Sequence, residues 1–497
     1  MKFVEKKQGK LTRLLVASLF CATSFSAVSA FANCGANHEK KSCQKLYNGK
    51  PVKYVFLMIG DGMAVTQVNV SRKYNQKPLT IDAFPVRGLT FTASLNRFIT
   101  DSGAAATAMA TGTKTGQTML SVDINGRPLY TVATKAKKYS KRKVGIISTA
   151  SINHATPAAF YATEKSRSSY YAIGKHLANS SIDFYGGGGV NHYNGDEGSV
   201  YELAKKNDFE VIRTKDGFNN LKNGQYKKVF LTAPRLRGDA SMQKSIDSTK
   251  DDVSLAQITA KAIEVLDNDN GFFIMVEGGQ IDWSCHENDA ATVIHETLAF
   301  DKAISVAYEF AQKHPEETLI VVAGDHETGG LRIGLSGNQF KKYYDVLSKQ
   351  KVSAGTFNGK LNKLLGTFEY SEDATKISEQ YAKVLPLIKE CFGNDISKTQ
   401  EKIFKEGFVA TMRKRAGKGT DHGNWGNYTP LTVIITHSIN QKAGVTWSTF
   451  NHTSAPTTVF AYGKGAKSFS GDYQNSDLGL KLMSAIGVPA KVEYVTK

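Results

Sequence analysis

The run Lys53-Tyr-Val-Phe-Leu-Met-Ile59 closes on Gly60-Asp61-Gly62. Apart from Lys53 the run is apolar, and its length suits a buried strand. The two glycines allow a sharp turn and leave a single carboxylate at the strand's carboxyl end. Taken alone, Asp61 is an ordinary turn aspartate. The rest of the chain gives it company.

Similar runs recur on either side of stretches with helical spacing. Residues 144–148 end in a Thr/Ser/Asn-rich loop, 271–276 in Glu-Gly-Gly, and 319–323 in Gly-Asp-His. Residues 431–435 and 457–461 add two further strand-like runs. Between them, 251–267 and 289–312 carry the apolar spacing of amphipathic helices. Strands alternating with helices predict an α/β fold, with a central mainly parallel sheet flanked by helices on both faces. Ligand sites in such folds lie at the carboxyl ends of the strands. Residues 335–430, rich in Lys, Tyr, Asn and Gly, read as a segment inserted into that core, with helical pieces around 374–389.

Residues with metal-ligand chemistry gather at those strand ends. Glu277 precedes Gly-Gly. Asp282 and His286 stand four apart, which on a helix puts both on one face. Asp325 and His326 are adjacent in a turn, Thr156 lies in a loop, and His452 sits in Phe-Asn-His-Thr. Imidazole and carboxylate suit zinc; carboxylate and hydroxyl suit magnesium. The stretch Ile99-Thr-Asp-Ser-Gly-Ala-Ala-Ala-Thr107 adds a serine, Ser102, followed by residues with almost no side chain. Alone it is a capped helix start. Beside two zinc-like sets sharing Asp61, it offers a nucleophile between two metals, a known clamp for a phosphoryl group.

The amino terminus has a different character. Lys2, Lys6, Lys7, Lys10 and Arg13 precede an apolar stretch at 14–22, and small-residue cleavage sites follow at 28–30 and 30–32. This pattern predicts a secretory signal peptide over 1–32, with an arm at 33–52 and a catalytic domain over 53–497. Export implies an oxidising compartment, periplasmic or extracellular. Of the cysteines left after cleavage, Cys34 and Cys43 flank a short polar loop that their pairing would close. Cys285 and Cys391 are open to pairing or to remaining free. Removing the signal's five Lys/Arg and one Glu leaves 58 basic against 44 acidic residues, a net +14. Such a field suits small anionic substrates. The lysines are scattered and not interleaved with aromatics, so no nucleic-acid module is expected. No internal apolar stretch is long enough to span a membrane.

With these motifs assembled, the chain resembles the alkaline phosphatases over residues 54–463. The match rests on 99–107, Met-Ile-Gly-Asp-Gly-Met at 58–63, His-Ala-Thr-Pro-Ala at 154–158, and Val-Glu-Gly-Gly-Gln-Ile-Asp-Trp at 276–283. Ala-Gly-Asp-His-Glu-Thr-Gly-Gly at 323–330 and Asn-His-Thr at 451–453 complete it. The resemblance implies a homodimeric phosphate monoester hydrolase that releases inorganic phosphate, with two Zn²⁺ and one Mg²⁺ per chain. It implies Asp282, His286 and His452 for one zinc, and Asp61, Asp325 and His326 for the other. Asp61, Thr156 and Glu277 would take magnesium, with Ser102 as nucleophile and Arg167 on the phosphate. His154 and Trp283, near the ligands, depart from the enterobacterial pattern of Asp and Lys and match that of some marine bacterial members. The 335–430 insertion resembles the family's crown-type segments. The alternatives are a phosphodiesterase or sulfatase of the same superfamily, or a secreted zinc- or phosphate-binding protein without catalysis. The residues around Ser102 do not fit a sulfatase motif.

Overall fold

The computed structural model describes residues 46–334, 343–419 and 425–495. The expected signal peptide over 1–32, Cys34 and Cys43 lie outside these residues. Ten strands form one sheet: β1 (Tyr54–Gly60), β2 (Val86–Phe91), β3 (Lys143–Ser148), β4 (Phe184–Gly187), β5 (Phe209–Ile212), β6 (Lys228–Thr232), β7 (Phe272–Gly278), β8 (Thr318–Gly324), β9 (Thr457–Gly463) and β10 (Gly471–Gln474). Their order across the sheet is β10-β2-β9-β8-β1-β7-β3-β4-β6-β5. Every pairing is parallel except the two made by β9. The three central strands β8, β1 and β7 are buried along their whole length. That explains their unbroken apolar runs, since helices cover both faces of a parallel sheet. One apolar core lies on each face.

The helices that matter for the site are α1 (Val65–Asn75), α2 (Ser102–Thr111), α3 (Ala155–Ala158), α4 (Leu255–Leu266), α5 (Gln280–His286) and α6 (Ala290–Lys313). The expected helices at 251–267 and 289–312 are α4 and α6, each begun by a capping side chain, Ser254 and Asp289. Farther along the chain come α7 (Ala354–Leu365), α8 (Ala374–Phe392), α9 (Lys398–Arg415) and α10 (Pro430–Lys442). They enclose an apolar cluster of their own, including Phe357, Val384, Ile388, Phe404 and Phe408.

One expected strand is corrected. Residues 431–435 belong to helix α10, and Leu431 and Ile435 point into the helical cluster. A short apolar run does not distinguish strand from buried helix. The deciding residue is Pro430, which opens the helix where a missing N–H costs nothing. The cysteines left open by sequence are settled: Cys285 and Cys391 are free and buried, in different apolar clusters.

Candidate active site

Strand register places the first ligand-type residues. Gly60 of β1 is level with Gly278 of β7 and Gly324 of β8, and Ile59 is level with Glu277. Asp61, Glu277 and Asp325 therefore leave three adjacent strands at one edge. Gly62 has φ +71°, and a Cβ there would lie 2.9 Å from the Asp282 Cα. Only glycine suits this turn, whose N–H donates to Asp325 Oδ1 at 3.0 Å. Strand β9 runs against its neighbours, so its amino end lies at the same edge. The segment leading into it delivers His452 there. The chain leaving β3 brings His154 and Thr156 to the edge, and α5 brings Asp282 and His286.

Ser102 is the first residue of α2, a helix buried at every position. Asp101 caps it, accepting from the N–H groups of Gly103 and Ala104. The small residues that marked this stretch let the helix sink beneath the site. Ser102 Oγ lies 3.2 Å from His326 Nε2.

Three groups of ligand-type side chains surround the serine, with ligand atoms within 4.8 Å of one another in each: Asp282, His286 and His452; Asp61, Asp325 and His326; Asp61, His154 and Glu277. His286 Nε2 is 3.2 Å from His452 Nε2 and 3.3 Å from Asp282 Oδ2. His326 Nε2 is 3.4 Å from Asp61 and 3.3 Å from Asp325. Thr156 donates to Asp61 Oδ2 at 3.3 Å, and the Ser148 hydroxyl donates to Glu277.

The other ring nitrogens are already committed. His286 Nδ1 meets the Phe450 carbonyl at 2.5 Å, and His452 Nδ1 meets the Thr100 carbonyl at 2.9 Å. A carbonyl only accepts, so each Nδ1 carries a proton, and Nε2 is the ring atom that faces its group. His326 Nδ1 is 3.2 Å from Thr328 Oγ1, whose proton goes to Asp282 Oδ1. The Thr328 hydroxyl thus links two of the groups.

The arrangement calls for cations. Asp61 Oδ1, Glu277 Oε1 and Asp325 Oδ2 are buried without a hydrogen-bond partner among the described residues, a costly state unless a cation supplies one. Burial, then neighbouring carboxylates, push Asp61 well above the usual carboxylate range. Burial chiefly does the same to Asp325 and raises Glu277 to about 7. At Asp282 burial is outweighed by His286, then His452 and His326, which hold its carboxyl well below that range. His286 is raised to about 9, burial being outweighed by the Asp282 carboxylate. The residues fit bound metal: buried, mutually repelling carboxylate oxygens gathered beside the Nε2 atoms of three imidazoles.

Arg167 reaches the site from a turn. It donates to Asp101 Oδ2 at 3.0 Å and to His154 Nε2 at 3.1 Å. A guanidinium only donates, so Nε2 accepts and the His154 proton sits on Nδ1. Burial, with Arg167 nearby, lowers His154 to about 3, so the ring is neutral. In that tautomer His154 carries an N–H at Nδ1 that lacks a partner among the described residues. Trp283 packs edge-on against His154, ring centres 5.4 Å apart.

The structure brings together all twelve residues named for the site from sequence, His154 and Trp283 included. Sequence reading missed Thr328 and the buried Glu327. The latter accepts from Gln67 at 2.8 Å and from Thr453, tying the His326 turn to the His452 segment. Their only signal was adjacency to His326. The Asp101 link to Arg167 joins residues 66 apart and had none.

The comparisons with known proteins agree with this geometry. The alkaline phosphatase family model matches residues 52–488, and the chain belongs to that family. Alkaline phosphatase 4 of Bacillus subtilis is 30% identical, over 96% of this chain and 97% of that protein. A cold-active alkaline phosphatase from a psychrophilic Shewanella has the same fold, with TM-score 0.72 and 27% identity over 87% of this chain and 99% of that one. A histidine-to-glutamate mutant of the alkaline phosphatase from the Antarctic bacterium TAB5, with Mg bound in the site designated M3, aligns with TM-score 0.62 and 25% identity, over 88% and 99% of the two chains. The protein is thus an enzyme, a phosphate monoester hydrolase of the alkaline phosphatase superfamily.

Proposed function

We propose that this enzyme cleaves small phosphate monoesters through a covalent phosphoserine on Ser102 and uses metal ions to do so. The supporting observation is the position of Ser102, at the start of a buried helix and against His326, among buried carboxylate oxygens that lack a hydrogen-bond partner among the described residues. Asp282, His286 and His452 would hold one Zn²⁺, and Asp61, Asp325 and His326 the second. Asp61, Thr156 and Glu277 would hold Mg²⁺, with His154 and Trp283 beside it. Bound there, the metals would acidify the serine hydroxyl, offset charge on the phosphoryl oxygens and stabilise the leaving alkoxide. The serine oxygen attacks phosphorus in line, and the P–O bond to the alcohol breaks. Water then attacks phosphoserine and releases inorganic phosphate and the serine. Throughout, Arg167 donates to two phosphoryl oxygens as a planar fork, and the positive amino end of α2 faces the phosphate.

The proposal extends to processing and assembly. Residues 1–32 would be removed on export to the periplasm or medium, leaving the arm at 33–52. No helix among the described residues is long and apolar enough to cross a membrane. The 335–430 segment is read as a crown-type insertion. A homodimer would bury the exposed Leu95, Phe98 and Ile99 next to the Ser102 loop; Phe98 is 78% exposed.

The deciding experiment is hydrolysis of an aryl phosphate with and without chelator, beside the aryl phosphodiester and aryl sulfate. Chelator-sensitive turnover of the monoester far above the other two supports the reading. Preference for the diester or sulfate moves the protein to the sister activity, and no turnover leaves the binding-protein reading.

A further inference from the structure

Helix α5 carries Asp282 and His286, and the chain leaves it through Asn288, whose φ is +49°. The Asn288 N–H donates to the Cys285 carbonyl at 2.9 Å, and the Asp289 N–H donates to the Ser284 carbonyl at 3.0 Å. This pair of bonds around a left-handed residue stops a helix, and it favours glycine or asparagine at the turn. Glycine would complete the turn equally well. The asparagine adds a side chain, and the residue is buried, at 1% exposure.

That side chain is fully engaged. Its Nδ2 donates to the Cys285 carbonyl at 2.8 Å, on its own helix, and to the Thr449 carbonyl at 3.0 Å. Two carbonyls around one amide atom identify it as the nitrogen. Thr449 lies in the segment that leads to His452, and the neighbouring Phe450 carbonyl takes the His286 Nδ1 proton. Asn288 Oδ1 accepts from His437 Nε2 at 2.9 Å, and the Asn288 backbone carbonyl accepts from Asn440 Nδ2 at 2.7 Å. His437 and Asn440 belong to α10, whose Leu431 and Ile435 lie in the separate helical cluster. One residue therefore fastens the end of α5, the approach to His452, and α10. The first two supply all of the Asp282, His286 and His452 group and none of the Asp61, Asp325 and His326 group.

We propose that Asn288 is a positioning residue: anchored by α10, it sets the separation of α5 from the His452 segment, and with it the zinc affinity of the Asp282, His286 and His452 group. The proposal rests on the metal reading given above. His286 and His452 come from stretches of chain 166 residues apart. An ion between them binds tightly only when both imidazoles are held in place beforehand.

The test uses two variants, Asn288→Gly and His437→Phe. The glycine keeps the left-handed turn and its backbone bonds and removes every side-chain bond. The phenylalanine keeps a ring against Phe450, where the His437 ring centre now lies at 5.9 Å, and removes the N–H to Asn288. Crystals of wild type and both variants are equilibrated at one buffered, limiting concentration of free Zn²⁺, and anomalous scattering gives the zinc occupancy of each group. The affinity of the Asp282, His286 and His452 group should fall about tenfold in Asn288→Gly, the lower end for residues that support metal ligands from behind. In His437→Phe it should fall about threefold, for one hydrogen bond. The Asp61, Asp325 and His326 group should lose far less. An unchanged affinity at the first group in either folded variant overturns the positioning role. So does an equal loss at both groups, which general loosening of the fold would produce. If wild type takes up no zinc at either group, the metal reading itself falls.

Discussion

Asp101 holds two groups that a phosphoryl substrate meets. One oxygen caps α2 at Ala104 and the other takes the Arg167 guanidinium. These roles separate by mutation. Asp101→Asn keeps a capping acceptor but weakens the grip on Arg167; Asp101→Ala removes both. Both variants should raise the inhibition constant for inorganic phosphate several-fold, because a loosened guanidinium is no longer held in the phosphate's geometry. Only the alanine variant should lose stability, by about 1 kcal/mol in denaturant unfolding. An unchanged phosphate constant in both would remove Asp101 from substrate binding. Ser102 itself is tested by Ser102→Ala, which should cost several orders of magnitude in kcat while zinc content stays near wild type. Near-normal turnover, or a phosphoryl label trapped on another residue at acid pH, would overturn the nucleophile assignment. Identities at this scale were legible in sequence because each side chain has distinctive chemistry. Links such as Thr328 to Asp282 and His326 were not, since a threonine hydroxyl serves countless local purposes.

Elements were legible where burial is complete on both faces. Strands β1, β3, β7 and β8 announce themselves as apolar runs, and so does most of β9. Strands such as β2, with Arg87 and Gly88, and β10, which is largely exposed, do not. The 431–435 run was misread because a helix buried against α9 is as apolar as a strand. Lys114 ties two elements together: beyond the end of α2 it donates to the Ala93 carbonyl at 2.6 Å, just past β2. Burial lowers its ammonium from 10.5 to about 8, only partly offset by Asp477. Between those two pH values the unfolded chain holds a proton that the folded chain has released, so stability rises with pH across this window. Below about 8 the folded protein bears the cost of a buried charge. Compared with Lys114→Met, wild type should therefore gain stability from pH 8 to 10.5 in denaturant titrations. Parallel curves for the two proteins would show that this ammonium is effectively solvated.

On the scale of the whole molecule, the fold and the site are one argument. A parallel sheet with a single reversed strand brings β1, β3, β7, β8 and the approach to β9 to a common edge, and ligand-type residues from all of them converge there. That convergence concentrates the buried carboxylates of Asp61, Glu277, Asp282 and Asp325. Without cations, folding must either leave some of them protonated or keep like charges together. Metals that bind only the folded chain offset this cost and stabilise it by mass action, about 4 kcal/mol at a thousandfold excess over the dissociation constant. Chelation should abolish phosphatase activity and lower Tm together, and Zn²⁺ with Mg²⁺ should restore both. The loss of Tm should be larger than in Ser102→Ala, whose carboxylates and imidazoles are intact. Elemental analysis should find about two transition-metal ions per active chain. Full activity and an unshifted Tm after removal of all metal would show that hydrogen bonds and protonation alone hold this carboxylate cluster together.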